Sequence, residues 1–315
     1  MQNKHPYKEI VKKNNHTIIN CKKCGYWHVY PMPTEEELNN YYETRYYENL
    51  GQNRAMTDKL NDSDGFYMMQ YYDRLRHLTR LLPSDLPKTI LDIGVGYGDF
   101  LRFMKKNDWE TQGLELSQSA CEAIKDKNSL NIKQGNINKL LGLGFNKCSV
   151  VTLNNVLEHL REPLKVIEIV RDNLLLPQGI LLVIVPNDFS ILQDMLMKTL
   201  LKENYQKHYY WTAHAEHLNY WSIKTMKRLL LNNGFKIKYL TGDFPMEIFP
   251  LMGEDYILYP EFGRKAHLKR IHFEECFSKV NAYGLKDKLF EAFAKIGIVR
   301  GVHIFVTRWE KNKYR

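Results

Sequence analysis

Long apolar runs, signal-like stretches and paired cysteines are all scarce in this sequence of 315 residues. The longest apolar run, residues 179–185, has the length of a strand and is too short to span a bilayer. The first five residues lack the apolar stretch of a secretory signal. Five cysteines, an odd number in a long chain, do not indicate a disulfide framework. From these absences we expect a cytoplasmic protein without a membrane span.

The charge of the chain is basic, with a net value of +9, and it is unevenly placed. Residues 1–30 carry six lysines against Glu9 alone, and residues 264–315 carry thirteen basic side chains against five acidic ones. Basic ends could attract nucleic acid, an anionic membrane or a phosphorylated substrate. However, the basic residues are scattered singly and form no dense run. We therefore interpret them as a solvated surface.

Strands and helices alternate from Lys88 onward. The predicted strands are 89–93, 111–116, 149–153, 179–185, 235–240 and 303–307, and the predicted helices are 99–106, 117–127, 163–175, 222–233 and 286–295. Near-continuous apolar strands separated by helices predict an α/β fold, with a mostly parallel sheet and helices on both faces.

We divide the chain into three parts. Residues 1–66 are predicted to form an N-terminal knuckle and helical segment, and residues 67–242 a cofactor-binding core. Residues 243–315 hold an insertion and then the closing helix and strand. Long insertions are usually functional, so we expect this one to cover the substrate.

A glycine loop, Gly94-Val95-Gly96-Tyr97-Gly98, connects the first predicted strand of the core to a helix. Its glycines allow a tight turn and a close approach of ligand to backbone. The following helix offers free N–H groups to an anionic or carboxylate-bearing ligand. Glu115 ends the next strand and could accept hydrogen bonds from ribose hydroxyls. Loop and acid together indicate a nucleoside-containing cofactor, which leaves NAD, a flavin nucleotide and S-adenosylmethionine open.

Three details distinguish among these cofactors. Asp99 stands where the dinucleotide pattern has its third glycine, the glycines run G-x-G-x-G, and Asp92 lies two residues before the first of them. Together these details resemble the first motif of class I S-adenosylmethionine-dependent methyltransferases. The resemblance implies a Rossmann-like, seven-stranded, mostly parallel sheet. It also implies S-adenosylmethionine as cofactor, with S-adenosylhomocysteine as product.

The resemblance continues over residues 67–240. Gly135-Asn136-Ile137 is similar to the turn beside the adenine, and residues 153–160 resemble the fourth-strand motif of the ubiquinone-biosynthesis type. Residues 176–187 match the fifth-strand region of the same type. The cofactor-binding residues implied by the resemblance are Asp92, Gly94, Gly96, Gly98, Glu115, Leu116, Asn136, Ile137 and Asn154.

Two clusters are candidates for the proton transfer that hydroxyl or carbon acceptors need. His159 follows the fourth strand of the core, at the mouth of the expected cleft. Glu216 and His217 follow the fifth, in a segment that resembles the Glu-His base of methyltransferases acting on nucleotide-linked deoxysugars. That family has a tyrosine where this chain has His214. The alternative is that His159 only caps the cleft wall and that His217, with Tyr220, packs its loop against the next helix.

Cys21-x-x-Cys24-Gly25 has the form of a zinc knuckle. Many sugar-modifying methyltransferases begin with two such knuckles. This chain resembles them, but it keeps only the second knuckle. The missing ligands would have to come from His5, His16 or His28, because a closed site needs four. We therefore expect no bound metal.

These observations lead us to expect an enzyme that methylates a small molecule: a sugar, a sugar nucleotide or a glycan-linked group. Phosphorylated and nucleotide-linked substrates are included, and no nucleic-acid partner is expected. An RNA or DNA methyltransferase is the first alternative, although the Asn-Asn-Val-Leu run at 154–157 lacks the Pro-Pro-aromatic pattern of base amino-methylating enzymes. The second alternative is a non-catalytic cofactor-binding protein. The oligomeric state stays open.

Overall fold

The computed structural model describes residues 5–13, 16–41, 65–125, 130–200 and 217–309. It contains two sheets. Their strands are β1 (Tyr7–Lys13), β2 (His16–Cys21), β3 (Trp27–Val29), β4 (Thr89–Ile93), β5 (Glu110–Glu115), β6 (Asn131–Gln134), β7 (Cys148–Asn154), β8 (Leu175–Pro186), β9 (Asn219–Tyr220), β10 (Phe235–Gly242) and β11 (Gly301–Arg308).

The helices lie mainly between these strands. They are α1 (Glu35–Tyr41), α2 (Phe66–Leu81), α3 (Asp99–Lys106), α4 (Gln118–Lys125), α5 (Pro163–Ile169), α6 (Ile191–Leu200), α7 (Ile223–Asn232), α8 (Ile248–Leu251), α9 (Phe262–Lys279) and α10 (Tyr283–Ile296). Short 3₁₀ segments at Ile137–Leu143 and Leu157–His159 and a π-helical turn at Val170–Leu174 complete the described helical structure. Of these described helices, none is long and apolar enough to cross a membrane.

The larger sheet has seven strands in the order β10-β11-β8-β7-β4-β5-β6. Strands β4 to β8 pair in parallel, and β11 runs antiparallel between β8 and β10. The middle strands are buried along most of their length, because helices cover both faces. The predicted fold class, a Rossmann-like, seven-stranded and mostly parallel sheet, is confirmed.

Local signals set several boundaries of the core. Helix α3 begins and ends where its sequence predicts. Ser222 caps α7: its hydroxyl accepts the N–H of Thr225 at 3.3 Å, while the hydroxyl of Thr225 accepts the N–H of Ser222 at 2.9 Å. The helix predicted for 163–175 is shorter, since it passes into the π-helical turn and β8 already begins at Leu175.

The sequence analysis missed several elements, including β6 and α6 of the core. The smaller sheet, β1-β2-β3-β9, is antiparallel and combines three N-terminal strands with a short strand from the core. Helix α9 lies in the insertion, to which the sequence analysis assigned no secondary structure, and α10 begins before the predicted residue 286. The apolar pattern of α9 is weak because Glu274 occupies a buried position, where it pairs with Lys286 at 2.9 Å.

Candidate active site

A cavity of about 590 Å³ opens at the carboxyl ends of β4, β5 and β7. This is where open α/β sheets bind their ligands, and the volume lies within the usual range for small-molecule sites. Seven of the predicted site residues line it: Gly94, Gly96, Glu115, Leu116, Asn136, Ile137 and His159.

The glycine loop forms the floor of this cavity. Gly94 and Gly96 have φ values of 82° and 59°, a left-handed conformation that favours glycine. A Cβ at Gly94 would lie 2.6 Å from Cγ2 of Val156, so the position also excludes a side chain on steric grounds. A Cβ at Gly96 would meet no described atom within 4 Å. The open space above Gly96 is room for a ligand against the backbone.

Glu115 holds the loop in place. One carboxylate oxygen accepts the N–H of Gly96 at 2.8 Å, and the other accepts the N–H of Ser117 at 2.9 Å. A carboxylate has about four acceptor sites, so further hydrogen bonds from ribose hydroxyls remain possible. The side chain therefore fits both roles: it stabilises the loop and can orient a nucleoside.

Asn136 stands at the far end of the cavity. Its side-chain oxygen accepts the N–H of Asn138 at 2.8 Å and caps the 3₁₀ segment Ile137–Leu143. An amide oxygen has a second lone pair, which can still accept a hydrogen bond from an adenine amino group. Ile137 beside it lines the cavity with apolar surface.

The remaining predicted cofactor residues lie behind the cavity wall. Asp92 is buried in β4 and accepts a hydrogen bond from the hydroxyl of Thr152 on β7. Gly98, with φ 79°, forms the N-terminal cap of α3. Asn154 ends β7, and its side-chain oxygen has no hydrogen-bond partner in the described part of the chain. None of the three lines the cavity.

His159 and His217 lie next to each other at the mouth of the cavity. Their ring centroids are 5.0 Å apart with an interplanar angle of 83°. The backbone joins their segments, because the N–H of Leu218 donates to the carbonyl of Glu158 at 2.7 Å. The predicted pair of histidines is therefore brought together across the sequence. Glu216 and His214 lie outside the described residues.

A family model described as a methyltransferase domain matches residues 67–240, more than half of the chain. The chain belongs to this family. It is a class I S-adenosylmethionine-dependent methyltransferase, and S-adenosylmethionine is the cofactor of that class. The loop geometry, the open space above Gly96 and the carboxylate of Glu115 fit this cofactor.

Solved structures are similar to this methyltransferase in fold. The plantazolicin methyltransferase BpumL, solved with S-adenosylhomocysteine, is 13% identical with a TM-score of 0.50; the match covers 87% of this chain and 95% of that chain. An Archaeoglobus fulgidus S-adenosylmethionine-dependent methyltransferase is 16% identical, with 75% and 92% covered and a TM-score of 0.44. One from Mesorhizobium loti is 13% identical, with 74% and 96% covered and a TM-score of 0.43. No curated protein sequence matches this chain.

Buried titratable groups surround the two histidines of this methyltransferase. Burial, with the nearby charge of Asp188 as a smaller cause, raises the pKa of Glu158 to about 8. Burial also raises the pKa of Asp188 to about 7, although Arg300 opposes the shift. Burial lowers the pKa of His217 to about 3, and His159 and Arg300 add to this effect. Near neutral pH, His217 is therefore a neutral imidazole and Glu158 is mostly protonated.

The sequence analysis missed several residues that line the cavity. Asn155 is one; its φ of 53° is uncommon for a residue other than glycine. Its N–H donates to the carbonyl of Ile184 on β8 at 2.9 Å, which holds the turn after β7. The doublet Asn154-Asn155 could have signalled this turn, since asparagine tolerates the left-handed conformation. Ser117, Gln134 and Val156 also line the cavity but carry no distinctive sequence signal.

The insertion lies away from the cofactor cavity. None of residues 243–285, all of which the structure describes, lines that cavity. Instead Glu247 accepts a hydrogen bond from Gln193 of α6 at 3.0 Å. That this segment covers the substrate stays a prediction.

Two groups in the described ranges bring metal-binding atoms within 4.8 Å of one another. One consists of Glu158, His159 and His217, at the mouth of the cavity. The other combines the knuckle cysteines with His5 and His28. The first group has only three ligands and is part of the site above; the second provides four.

Proposed function

We propose that this methyltransferase transfers the methyl group of S-adenosylmethionine to a sugar, a sugar nucleotide or a glycan-linked group. The observation that carries the proposal is the histidine pair. His159 lines the cofactor cavity, and the ring of His217 stands 5.0 Å from it. A proton acceptor beside the bound methyl donor is what an acceptor hydroxyl or carbon needs.

The cofactor supplies an activated methyl group on its sulfonium, so the chain has to position the reactants and handle a proton. The glycine loop and Glu115 hold the nucleoside and amino-acid parts on one side of the cavity. His159 and His217 face the acceptor on the other. Burial lowers the pKa of His217 to about 3, which keeps its imidazole neutral near pH 7 but also weakens it as a base, so His159, which lines the cavity, is the better placed proton acceptor of the two.

The sugar acceptor rests on a second argument. Glu216 and His217 stand in a segment that resembles the base of methyltransferases acting on nucleotide-linked deoxysugars. In this structure the same segment is fixed against the fourth-strand turn: the side chain of Asn219 donates to the carbonyls of Leu157 and Leu160 at 3.2 and 2.6 Å. The segment therefore holds His217 at the cofactor cavity, as a base would require.

An acceptor panel tests the proposal. Purified protein is incubated with S-adenosylmethionine and, in separate reactions, nucleoside-diphosphate-linked sugars, oligosaccharides, total RNA and peptides, and release of S-adenosylhomocysteine is measured. We expect release above background with a nucleotide-linked sugar or an oligosaccharide. Release with RNA or peptide alone would contradict the proposed acceptor class. Tight binding of S-adenosylhomocysteine without turnover on any acceptor would favour a non-catalytic role instead.

A further inference from the structure

Four side chains of the N-terminal sheet converge on one point. Nδ1 of His5 lies 3.3 Å from Sγ of Cys21, 3.6 Å from Sγ of Cys24 and 3.2 Å from Nε2 of His28. Zinc bonds of about 2.0 Å to nitrogen and 2.3 Å to sulfur give a tetrahedron with edges of roughly 3.3 Å between nitrogens and 3.5 Å between nitrogen and sulfur. The observed separations match these edges.

Hydrogen bonding alone does not account for this cluster. One ring nitrogen of His5 carries either one N–H or one lone pair, yet it faces three different atoms. Nδ1 of His28 lies 2.7 Å from the carbonyl of Val29, which can only accept, so Nδ1 is the donor. The lone pair of His28 is therefore on Nε2 and points into the cluster. A cation at the centre would satisfy all four ligand atoms at once.

The surrounding backbone is arranged for metal binding as well. The N–H of Cys24 donates to Sγ of Cys21 at 3.3 Å, which orients this sulfur within the cluster. The N–H of Gly25 donates to the carbonyl of Cys21 at 2.9 Å, and φ of 78° at Gly25 closes the turn. The bond from His28 to the carbonyl of Val29 is the kind of contact that fixes the tautomer of a ligating histidine.

We propose that His5, Cys21, Cys24 and His28 bind one Zn²⁺ in a closed tetrahedral site. Two thiolates and two imidazoles are a donor set that suits zinc. This proposal replaces the expectation from the sequence that the knuckle holds no metal. That expectation rested on the single knuckle, whose remaining ligands would have to come from histidines elsewhere in the sequence, and the fold brings two of the three candidates, His5 and His28, to the cysteines. With four protein ligands the site has no open position, so its role is structural.

The site also connects to the candidate active site. His28 lies opposite Asn219 where β3 pairs with β9, and the N–H of Val29 donates to the carbonyl of Leu218 at 2.9 Å. Leu218 and Asn219 in turn hold the segment that carries His159. Zinc would therefore fix the position of both histidines, a positioning role that rests on the function proposed above. The metal site itself does not depend on that function.

Metal analysis of the full-length protein tests the site. We expect one zinc per chain by mass spectrometry. Replacement by Co²⁺ should give the intense visible bands of tetrahedral cobalt and a thiolate charge-transfer band. Cys24→Ser and His5→Gln should lower zinc content at least about tenfold, whereas His5→Cys, which keeps a ligand, should retain it.

Cys276→Ser is the matched control. Cys276 is exposed, and its Sγ lies 3.9 Å from Nε2 of His272, so it is a second cysteine–histidine contact outside the cluster. This variant should keep the full zinc content. Wild-type protein that contains no zinc and binds Co²⁺ without a thiolate band would overturn the proposal, and so would full zinc content in Cys24→Ser. The zinc content and the cobalt spectrum of the wild-type protein test the proposed site even if a variant fails to fold.

Hydrogen exchange tests the positioning role without using an acceptor. After zinc is removed from the full chain by a chelator, exchange should rise in residues 217–221 and 157–160, and stay unchanged in residues 94–98. S-adenosylhomocysteine affinity should change less than about twofold, because the glycine loop does not contact the cluster. Unchanged exchange at 217–221 would contradict the positioning role. These readouts stand even if the proposed acceptor class is wrong.

Discussion

The cofactor wall of the cleft and its acceptor wall are built from different groups. The cofactor wall consists of backbone: glycines in left-handed conformations and N–H groups bonded to Glu115. The wall that we propose to face the acceptor is formed by His159, and behind it lie the buried side chains of Glu158, Asp188 and His217, which carry polar atoms without a hydrogen-bond partner within the described ranges. The loop N–H groups that Glu115 binds are therefore paired, whereas unpaired buried polar atoms lie behind the other wall.

The difference implies that the two walls can be disabled separately. Only some residue types can adopt the backbone conformations of the cofactor wall, so substitutions there should alter the binding of the cofactor. Titratable side chains act through protonation, so changes in the acceptor wall should alter turnover and its pH dependence. The predictions below test this separation.

The largest effect on turnover is expected from the substitutions His217→Asn and His159→Asn. Loss of a general base lowers turnover by about 10²–10⁴-fold, while S-adenosylhomocysteine affinity should stay within about twofold of wild type. Turnover is measured on the acceptor identified by the panel, and affinity by calorimetry. His272→Asn, on the exposed face of α9, is the control and should behave as wild type. Normal turnover in both test variants would remove the histidines from the mechanism.

Gly94→Ala should weaken the binding of S-adenosylhomocysteine. The left-handed conformation disfavours alanine by about 1–2 kcal/mol, and the new Cβ would meet Val156 at 2.6 Å. We expect a loss of at least about 30-fold in affinity by calorimetry. Gly142→Ala is the matched control, because a Cβ there meets nothing within 4 Å among the described atoms and its φ is not left-handed. Equal affinities of the two variants would show that loop geometry does not set binding.

Glu115→Gln should have a smaller effect on the same wall. A glutamine amide would present N–H groups where the carboxylate now accepts from Gly96 or Ser117. The lost charge-assisted bond corresponds to about 1.5 kcal/mol, or roughly tenfold in affinity. Glu122→Gln is the control, since Glu122 lines the same cavity but bonds only to Gln118 of its own helix among the described contacts. A stronger effect at Glu122 would contradict the role of Glu115.

The smallest expected effect is on the pH dependence of the free energy of unfolding. Glu158 has a folded-state pKa of about 8, above its usual value, so the folded state keeps a proton that the unfolded state has lost. The free energy of unfolding should therefore fall as pH rises toward 8, by up to about 1.4 kcal/mol per pH unit for this group. His217 opposes this slope most strongly near pH 6.5, where its unfolded state is about half protonated and its folded state is neutral, and its contribution fades as the pH rises toward 8.

Urea denaturation at about pH 6.5, 7.2 and 8.0 measures this slope across the range in which Glu158 titrates. Glu158→Gln should reduce it, whereas Glu168→Gln, a change of an exposed acid, should leave it as in wild type. A slope that Glu158→Gln leaves unchanged would mean that Glu158 is ionised in the folded protein.

Local chemistry explains what could be predicted from the sequence. Glycines, caps and apolar runs act within a few residues, so the bounds of α3 were predicted correctly, and the glycine loop lies at the cavity between strand and helix, as expected. The smaller sheet depends on β3 pairing with β9 from far along the chain, and no local pattern indicates that partner. The sequence analysis named His5 and His28 as candidate ligands for Cys21 and Cys24, but it could not predict that they meet, because the pairing of β1 with β2 brings His5 to Cys21.

A crystal structure of the complex with S-adenosylhomocysteine tests the account most directly, because it examines both walls at once. We predict that the ribose hydroxyls bond to Glu115, that the adenine lies beside Asn136, and that the sulfur faces His159. A ribose bound away from Glu115, or a sulfur that faces away from the two histidines, would contradict the assignment of the walls.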